Sequence, residues 1–241
     1  MSTDSNGRRY MALWLEGPMQ SWGFESRFGY RGTAEFPTKS GVIGLILCAL
    51  GKAGEQRELL ANLASMTMTV VRYNRKNRDN EPTPEVLLTD FHMIGAGYED
   101  KDKWQNLFKP KTASGTKGSG AYITYRGYLQ DVAFGIVLDM TKEQAEFISS
   151  ALVAPVWDLY LGRKSCAPTE VIFQGSYDNE ADCEVKLSDL ATTKNRAKSM
   201  TVFDAQREGE LVILNDVPVS FGEHKEYSER VVTIVLDRDD E

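Results

Sequence analysis

The residues of this sequence that can do chemistry sit in four places. Gln20 and Trp22 lie in "GPMQSWG", an amide edge and an aromatic face that can meet a nucleobase or plug a core. Arg31 follows in the same linker, and Lys39 and Ser40 in "FPTKSG" open an apolar run. Backbone N–H groups, a hydroxyl and an ammonium at a helix start suit an anion; the same residues serve equally as an N-cap and a solvated lysine. The glycine spacing of a nucleotide-hydrolysing phosphate loop is absent, so nucleotide hydrolysis is not expected. Tyr125 and Arg126 end a basic stretch that begins at Lys103. Between these positions stand Lys109, Lys111 and Lys117, no Asp or Glu, and the aromatics Trp104, Phe108 and Tyr122. Cations between aromatics are what a single-stranded nucleic acid requires. Finally, "YLGRKSCAP" places Arg163, Lys164 and Ser165 on one turn, where an arginine fork can clamp a phosphate.

Proton-transfer chemistry is thinly provided. The two histidines are His92, at the end of a strand, and His224, in a charged loop. No Ser-His-Asp or Cys-His spacing stands out. The three cysteines, Cys48, Cys166 and Cys183, are far apart and form no zinc pattern, so neither metal nor cofactor is expected, and a reducing cytoplasm fits.

The elements that must hold these groups follow from pattern. Residues 10–17 read as a strand, and 38–51 as a buried helix with Thr38 as N-cap. Residues 55–65 read as a short helix, and 66–74 and 84–94 as strands that would form a hairpin. Residues 95–123 form a long Gly-rich insertion, 124–140 return to strand character, and 141–154 form a helix opened by a Thr-x-x-Gln capping box. Beyond residue 161 the sequence predicts a small antiparallel β region with little helix. The 241 residues are 41% hydrophobic and 26% charged with net charge −7, an ordinary globular composition with no membrane-length apolar run and no secretory leader. The net acidity argues against a protein that binds nucleic acid over its whole surface; the one basic segment argues for a focused contact.

"LEGPMQSWG", "FPTKSGVIGLILCALG", "LTDFH", "YRGYLQDVAF" and "YLGRKSCAP" occur in that order between residues 13 and 168. Together they resemble the CasD family, subunits of type I-E CRISPR Cascade complexes within the repeat-associated RNA-binding superfamily. The resemblance implies an α+β fold. It consists of a modified ferredoxin-like, RRM-like domain over residues 1–160, a long β-hairpin thumb within about 78–123, and a small β-rich region over 161–241. It also implies a non-catalytic subunit that holds the 5′ repeat-derived handle of CRISPR RNA. Such a subunit contacts the large and backbone subunits, meets target DNA only indirectly and touches no membrane. Carried over residue by residue, the handle contacts are Gln20, Trp22, Arg31, Lys39, Ser40, Tyr125, Arg126, Arg163, Lys164 and Ser165. A related branch cuts its own precursor RNA. The alternative it suggests is a metal-independent endoribonuclease using His92, Tyr125 or Lys39 as general acid or base.

Overall fold

A computed structural model describes residues 7–24, 26, 29–84, 86–94, 104, 111, 114–116 and 121–237. In chain order the elements are β1 (Arg8–Glu16), β2 (Met19–Gln20), β3 (Trp22–Gly23), β4 (Tyr30–Arg31), β5 (Thr33–Ala34), α1 (Lys39–Ala49), α2 (Arg57–Ala64), β6 (Thr67–Arg75) and β7 (Val86–Ile94). There follow β8 (Tyr122–Gln130), β9 (Ala133–Thr141), α3 (Lys142–Val153), β10 (Phe173–Tyr177), α4 (Glu180–Thr193), β11 (Arg196–Phe203), β12 (Glu210–Ser220) and β13 (Glu226–Leu236).

Seven strands form one antiparallel sheet in the order β10-β1-β9-β6-β11-β13-β12. β1 is apolar on both faces because both are covered. Met11, Leu13 and Leu15 face α1 and α3, while Ala12 and Trp14 face α4. α1 is apolar nearly all round for the same reason, and each fully buried Val, Leu or Ile side chain in it contributes about 1.5–3 kcal/mol. Thr38 caps it by accepting from the Gly41 N–H at 3.2 Å. The expected capping box at α3 is present: Thr141 and Gln144 bond reciprocally, and Gln144 also donates to Asn62 at the end of α2. No helix among the described residues is long and apolar enough to cross a membrane.

Two expectations need correction. Residues 84–94 do not pair with 66–74. β7 pairs with β8 over nine positions, Val86↔Gln130 to Ile94↔Tyr122, while β6 lies between β9 and β11 in the main sheet. Adjacency in sequence suggested the wrong partner, and the single strand read over 124–140 is in fact β8 and β9, broken at Asp131. β7 and β8 form a hairpin in a second sheet with β2 and β4; Lys103, Lys109, Lys117 and Phe108, expected in its insertion, lie outside the described residues. The second correction is α4, in a region expected to hold little helix. Asn179 caps it, and Cys183, Leu187 and Ala191, four residues apart, form its buried stripe. The strands after α4 extend the same sheet as β1.

A buried arginine links the sheet's two halves. Arg196 of β11, its side chain 2% exposed, donates to Glu16 of β1 at 2.7 Å and to Asp131 between β8 and β9 at 3.1 Å. Burial alone would raise the Glu16 carboxyl, but hydrogen bonds from Trp14, Arg196 and Lys194 outweigh it and hold it below the usual carboxylate range. Asp131 is likewise held low: burial opposes, and bonds from Arg75 and Arg196 prevail. A carboxylate whose folded pKa is depressed stabilises the fold above its ordinary pKa and loses that contribution as pH falls through the folded value. Urea midpoints measured between about pH 5 and pH 3 should therefore fall steeply. In a Glu16→Gln/Asp131→Asn variant the profile should be lower at pH 5 and flatter; an unchanged slope would contradict this role.

Candidate nucleic-acid interface

Two loops distant in sequence dock on each other. The Ser21 N–H donates to the Leu161 carbonyl at 3.1 Å, and the Thr169 N–H to the Glu16 carbonyl at 2.9 Å. Gly162 has φ +85°, and a Cβ there would lie 1.8 Å from the Ser21 carbonyl oxygen, so only glycine fits. "GPMQSWG" and "YLGRKSC" thus meet as backbone against backbone.

That docking encloses Gln20 and Trp22, both 0% exposed. Gln20 Nε2 donates to the carbonyls of Leu15 (3.1 Å) and Val132 (2.8 Å), and its Oε1 accepts from Trp22 Nε1 at 3.2 Å. Every side-chain polar atom of this pair is used inside the protein, and the Trp22 ring is shut beneath Gly41. They form the framework of the site and present no edge or face to a base, which corrects the expectation for both.

Lys39 is corrected in the same way. Its Nζ donates to the Met66 carbonyl at 2.6 Å and to Asp204 at 3.2 Å, while its backbone N–H donates to Asp216 at 2.7 Å. Arg230 holds Asp216 with two bonds, at 2.6 and 2.8 Å, and pairs with Asp204 as well. All four side chains are at least nine-tenths buried. Two cations and two anions cancel, leaving nothing for an external phosphate. Burial is the main cause of the lowered pKa of Lys39, to about 8, and it lowers Arg230 to about 10.

The remaining candidates come together. β4 runs parallel to β8, with Tyr30 beside Tyr125 and Arg31 beside Arg126. Arg163 reaches the same place: its guanidinium donates to the Arg31 carbonyl at 2.8 Å and lies 4.7 Å over the Tyr128 ring. Arg126 donates to Thr124 Oγ1. No carboxylate among the described residues forms an ion pair with any of the three arginines. Like charges set side by side repel unless an anion joins them. Tyr125 is exposed and packs edge-on against Phe91 at 5.5 Å. Lys164 and Ser165 are exposed on the turn that carries Arg163. His92 stands 3.6 Å from Asp90 on the hairpin stem, opposite Thr124.

Beside Gly162, on the turn that carries Arg163, opens a cleft of about 470 Å³ between α1, residues 157–162 and the turn from β12 to β13. Ser40 is at its rim, Trp157, Tyr160 and Tyr227 supply aromatic walls, and Lys52 and Lys225 supply charge. Gly44 faces it, with nothing within 4 Å of where a Cβ would stand. Burial pushes the Cys48 thiol up, and the charge of Lys164 offsets part of that. Sequence reasoning missed Trp157, Tyr160 and Tyr227 as wall residues, because aromatic side chains at these positions read equally well as core. The available signal was "VWDLY", two aromatics with a charge between them leading into the "GRK" turn; the structure exposes residues 153–158. A second cleft of about 590 Å³, between α4 and β6–β11, mixes Glu184 and Asp237 with Lys76 and Lys198 and offers one aromatic side chain, Tyr73. It lacks the one-signed charge and stacked faces a nucleic acid wants.

The family described as "CRISPR-associated protein (Cas_Cas5)" matches residues 10–233. The CRISPR system Cascade subunit CasD of Escherichia coli (strain K12) is 32% identical over 172 residues, 70% of this chain and 71% of that protein. A solved chain described as "CRISPR RNA-guided surveillance complex" superposes with a TM-score of 0.70 at 30% identity, covering 94% of this chain and 89% of its own. Another, described as "Crystal structure of Cas protein", gives a TM-score of 0.58 at 26% identity, covering 94% of each chain.

Removing one member of the buried charge cluster leaves the others uncompensated. Lys39→Met should cost about 3–5 kcal/mol in a urea titration. Lys164→Ala, on the exposed turn, should change stability by no more than about 0.5 kcal/mol. A Lys39→Met protein as stable as the parent would show that Lys39 is not part of the structural cluster.

Proposed function

Because the chain belongs to the Cas5 family of CRISPR-associated proteins, we propose that it is a subunit of a CRISPR Cascade surveillance complex. In that complex it holds the 5′ repeat-derived handle of CRISPR RNA for antiviral defence. The observation that carries this reading is the group of three arginines, Arg31, Arg126 and Arg163, which form no ion pair among the described residues, together with the aromatic-walled cleft beside the turn that carries Arg163. Arginine forks suit phosphate oxygens, and aromatic faces suit unstacked bases. Ser40 adds a donor in the cleft, Lys164 and Ser165 add donors on the turn that carries Arg163, and Tyr125 adds a face on the hairpin. Phosphate contacts fix the register of the strand, and base contacts in the cleft give selectivity.

The fold supports the finer reading too. Counted as four strands, β1, β6, β9 and β10 lie in the order 4-1-3-2, with helices after the first and third, which is the pattern of a ferredoxin-like unit. The β7–β8 hairpin is inserted between the second and third and serves as the thumb. Its exposed apolar side chains, Leu87, Phe91 and Met93, suit contact with a neighbouring backbone subunit, and the large subunit meets the body. The three buried, unpaired cysteines suit a cytoplasmic protein. The chain acts as a binder and leaves RNA uncut.

Anisotropy titrations with a single-stranded RNA of the repeat's 5′ handle test this. Arg126→Ala and Arg163→Ala should weaken binding and flatten the plot of log K against log salt by about 0.7 each. Tyr160→Ala or Trp157→Ala should cost about 1–3 kcal/mol of affinity with little change in slope. The same RNA incubated with the protein in EDTA should stay intact. Unchanged slopes in the arginine variants, or specific cleavage lost in His92→Ala, would overturn the reading.

A further inference from the structure

β12 ends one side of the seven-stranded sheet. β13 pairs with one of its edges, and among the described residues no strand lies along the other. Alternate residues of 210–214 therefore turn their backbone N–H and C=O groups away from the sheet. Such a row is a template for another strand, and proteins usually blunt it with lysine, proline or a covering element. The segment 210–214 reads Glu-Leu-Val-Ile-Leu; Pro218 comes only after the register break that follows Leu214. Leu211 and Ile213 are 56% and 69% exposed, and Val231, directly across from Ile213 on β13, is 40% exposed. Val212 and Leu214, on the opposite face, pack into the core.

We propose that the free edge of β12 at residues 210–214 accepts an extended segment of a partner protein as an eighth strand. The backbone groups specify an extended chain, because only another strand satisfies alternating donors and acceptors along an edge. Leu211, Ile213 and Val231 specify apolar side chains at alternate positions of that strand. Glu208, Glu210 and Glu229 are exposed and form no ion pair among the described residues, so they specify lysine or arginine at flanking positions. A second copy of this edge would bring three carboxylates, Glu208, Glu210 and Glu229, against one exposed cation, Arg207, and so complements it less well than a lysine- or arginine-bearing strand.

The strand site and the cleft are separate. The turn that lines the cleft begins at Phe221, and Leu211 lies on the order of 30 Å up the strand at about 3.4 Å per residue. Both can be occupied at once, and the strand site does not depend on the RNA reading.

The test uses the full chain and two synthetic eight-residue peptides, one alternating valine and lysine, the other valine and glutamate. Hydrogen exchange is followed over residues 208–216. The valine–lysine peptide should slow exchange there. The valine–glutamate peptide should bind about tenfold more weakly, the summed effect of several cross-strand charge pairs. A Leu211→Lys/Ile213→Lys variant alters exposed side chains only and should unfold like the parent. It should lose the protection and bind handle RNA as before. Absent protection, equal protection by both peptides, or loss of RNA affinity in the variant would overturn the proposal. So would a concentration-dependent dimer that the variant abolishes, because it assigns the edge to a second copy.

Discussion

Four charges withdrawn from water fix the geometry on which this molecule depends. Lys39, Asp204, Asp216 and Arg230 are tolerable inside the protein only as a set, because each ion costs several kcal/mol to desolvate and only its partners offset that. The set spans the chain. Lys39 begins α1, Asp204 follows β11, Asp216 is in β12 and Arg230 in β13. Sliding α1 by one residue would strand a charge without its partner. The helix start is therefore held in one place against the last strands of the sheet, and the cleft between α1 and the β12–β13 turn has fixed walls.

A second constraint is purely steric and acts on the opposite wall. Gly162 and Gly17 let two loops touch where a side chain would collide with the carbonyls of Ser21 and Ala167. Their contact buries Gln20 and Trp22 and brings Arg163 over Tyr128 beside Arg31 and Arg126. The arginines are kept close by backbone pairing and ring packing; among the described residues no carboxylate pairs with them. Side chains held together this way are ordered before any ligand arrives, which reduces the ordering cost that the proposed RNA contact would carry.

Much of the framework could be read from residue order. The apolar run after "FPTKSG" is the buried helix α1 with its Thr38 cap, and Thr141 and Gln144 mark the start of α3. Periodicity is a local signal, so it found these elements but not the partner of β7, which lies beyond a long insertion. α4 escaped because its buried stripe is narrow and partly of small residues, Cys183, Leu187 and Ala191. At the site, the sequence showed which residues were chemically able to meet RNA but not which were already spent. Gln20 and Lys39 are polar groups whose partners lie far along the chain, at Val132 and at Asp204, so their burial is a property of the tertiary structure alone. Trp157, Tyr160 and Tyr227 line one cleft only because the turn of the last hairpin lies against α1.

Hydrogen exchange of the full chain with and without single-stranded handle RNA probes the central claim, that α1, the arginine turn and the last hairpin build one RNA-holding cleft. The account predicts slowed exchange together at residues 157–165, at 221–227 and around Arg31 and Arg126. Protection confined to any one of these segments, or found only on the α4 side of the sheet, would contradict it.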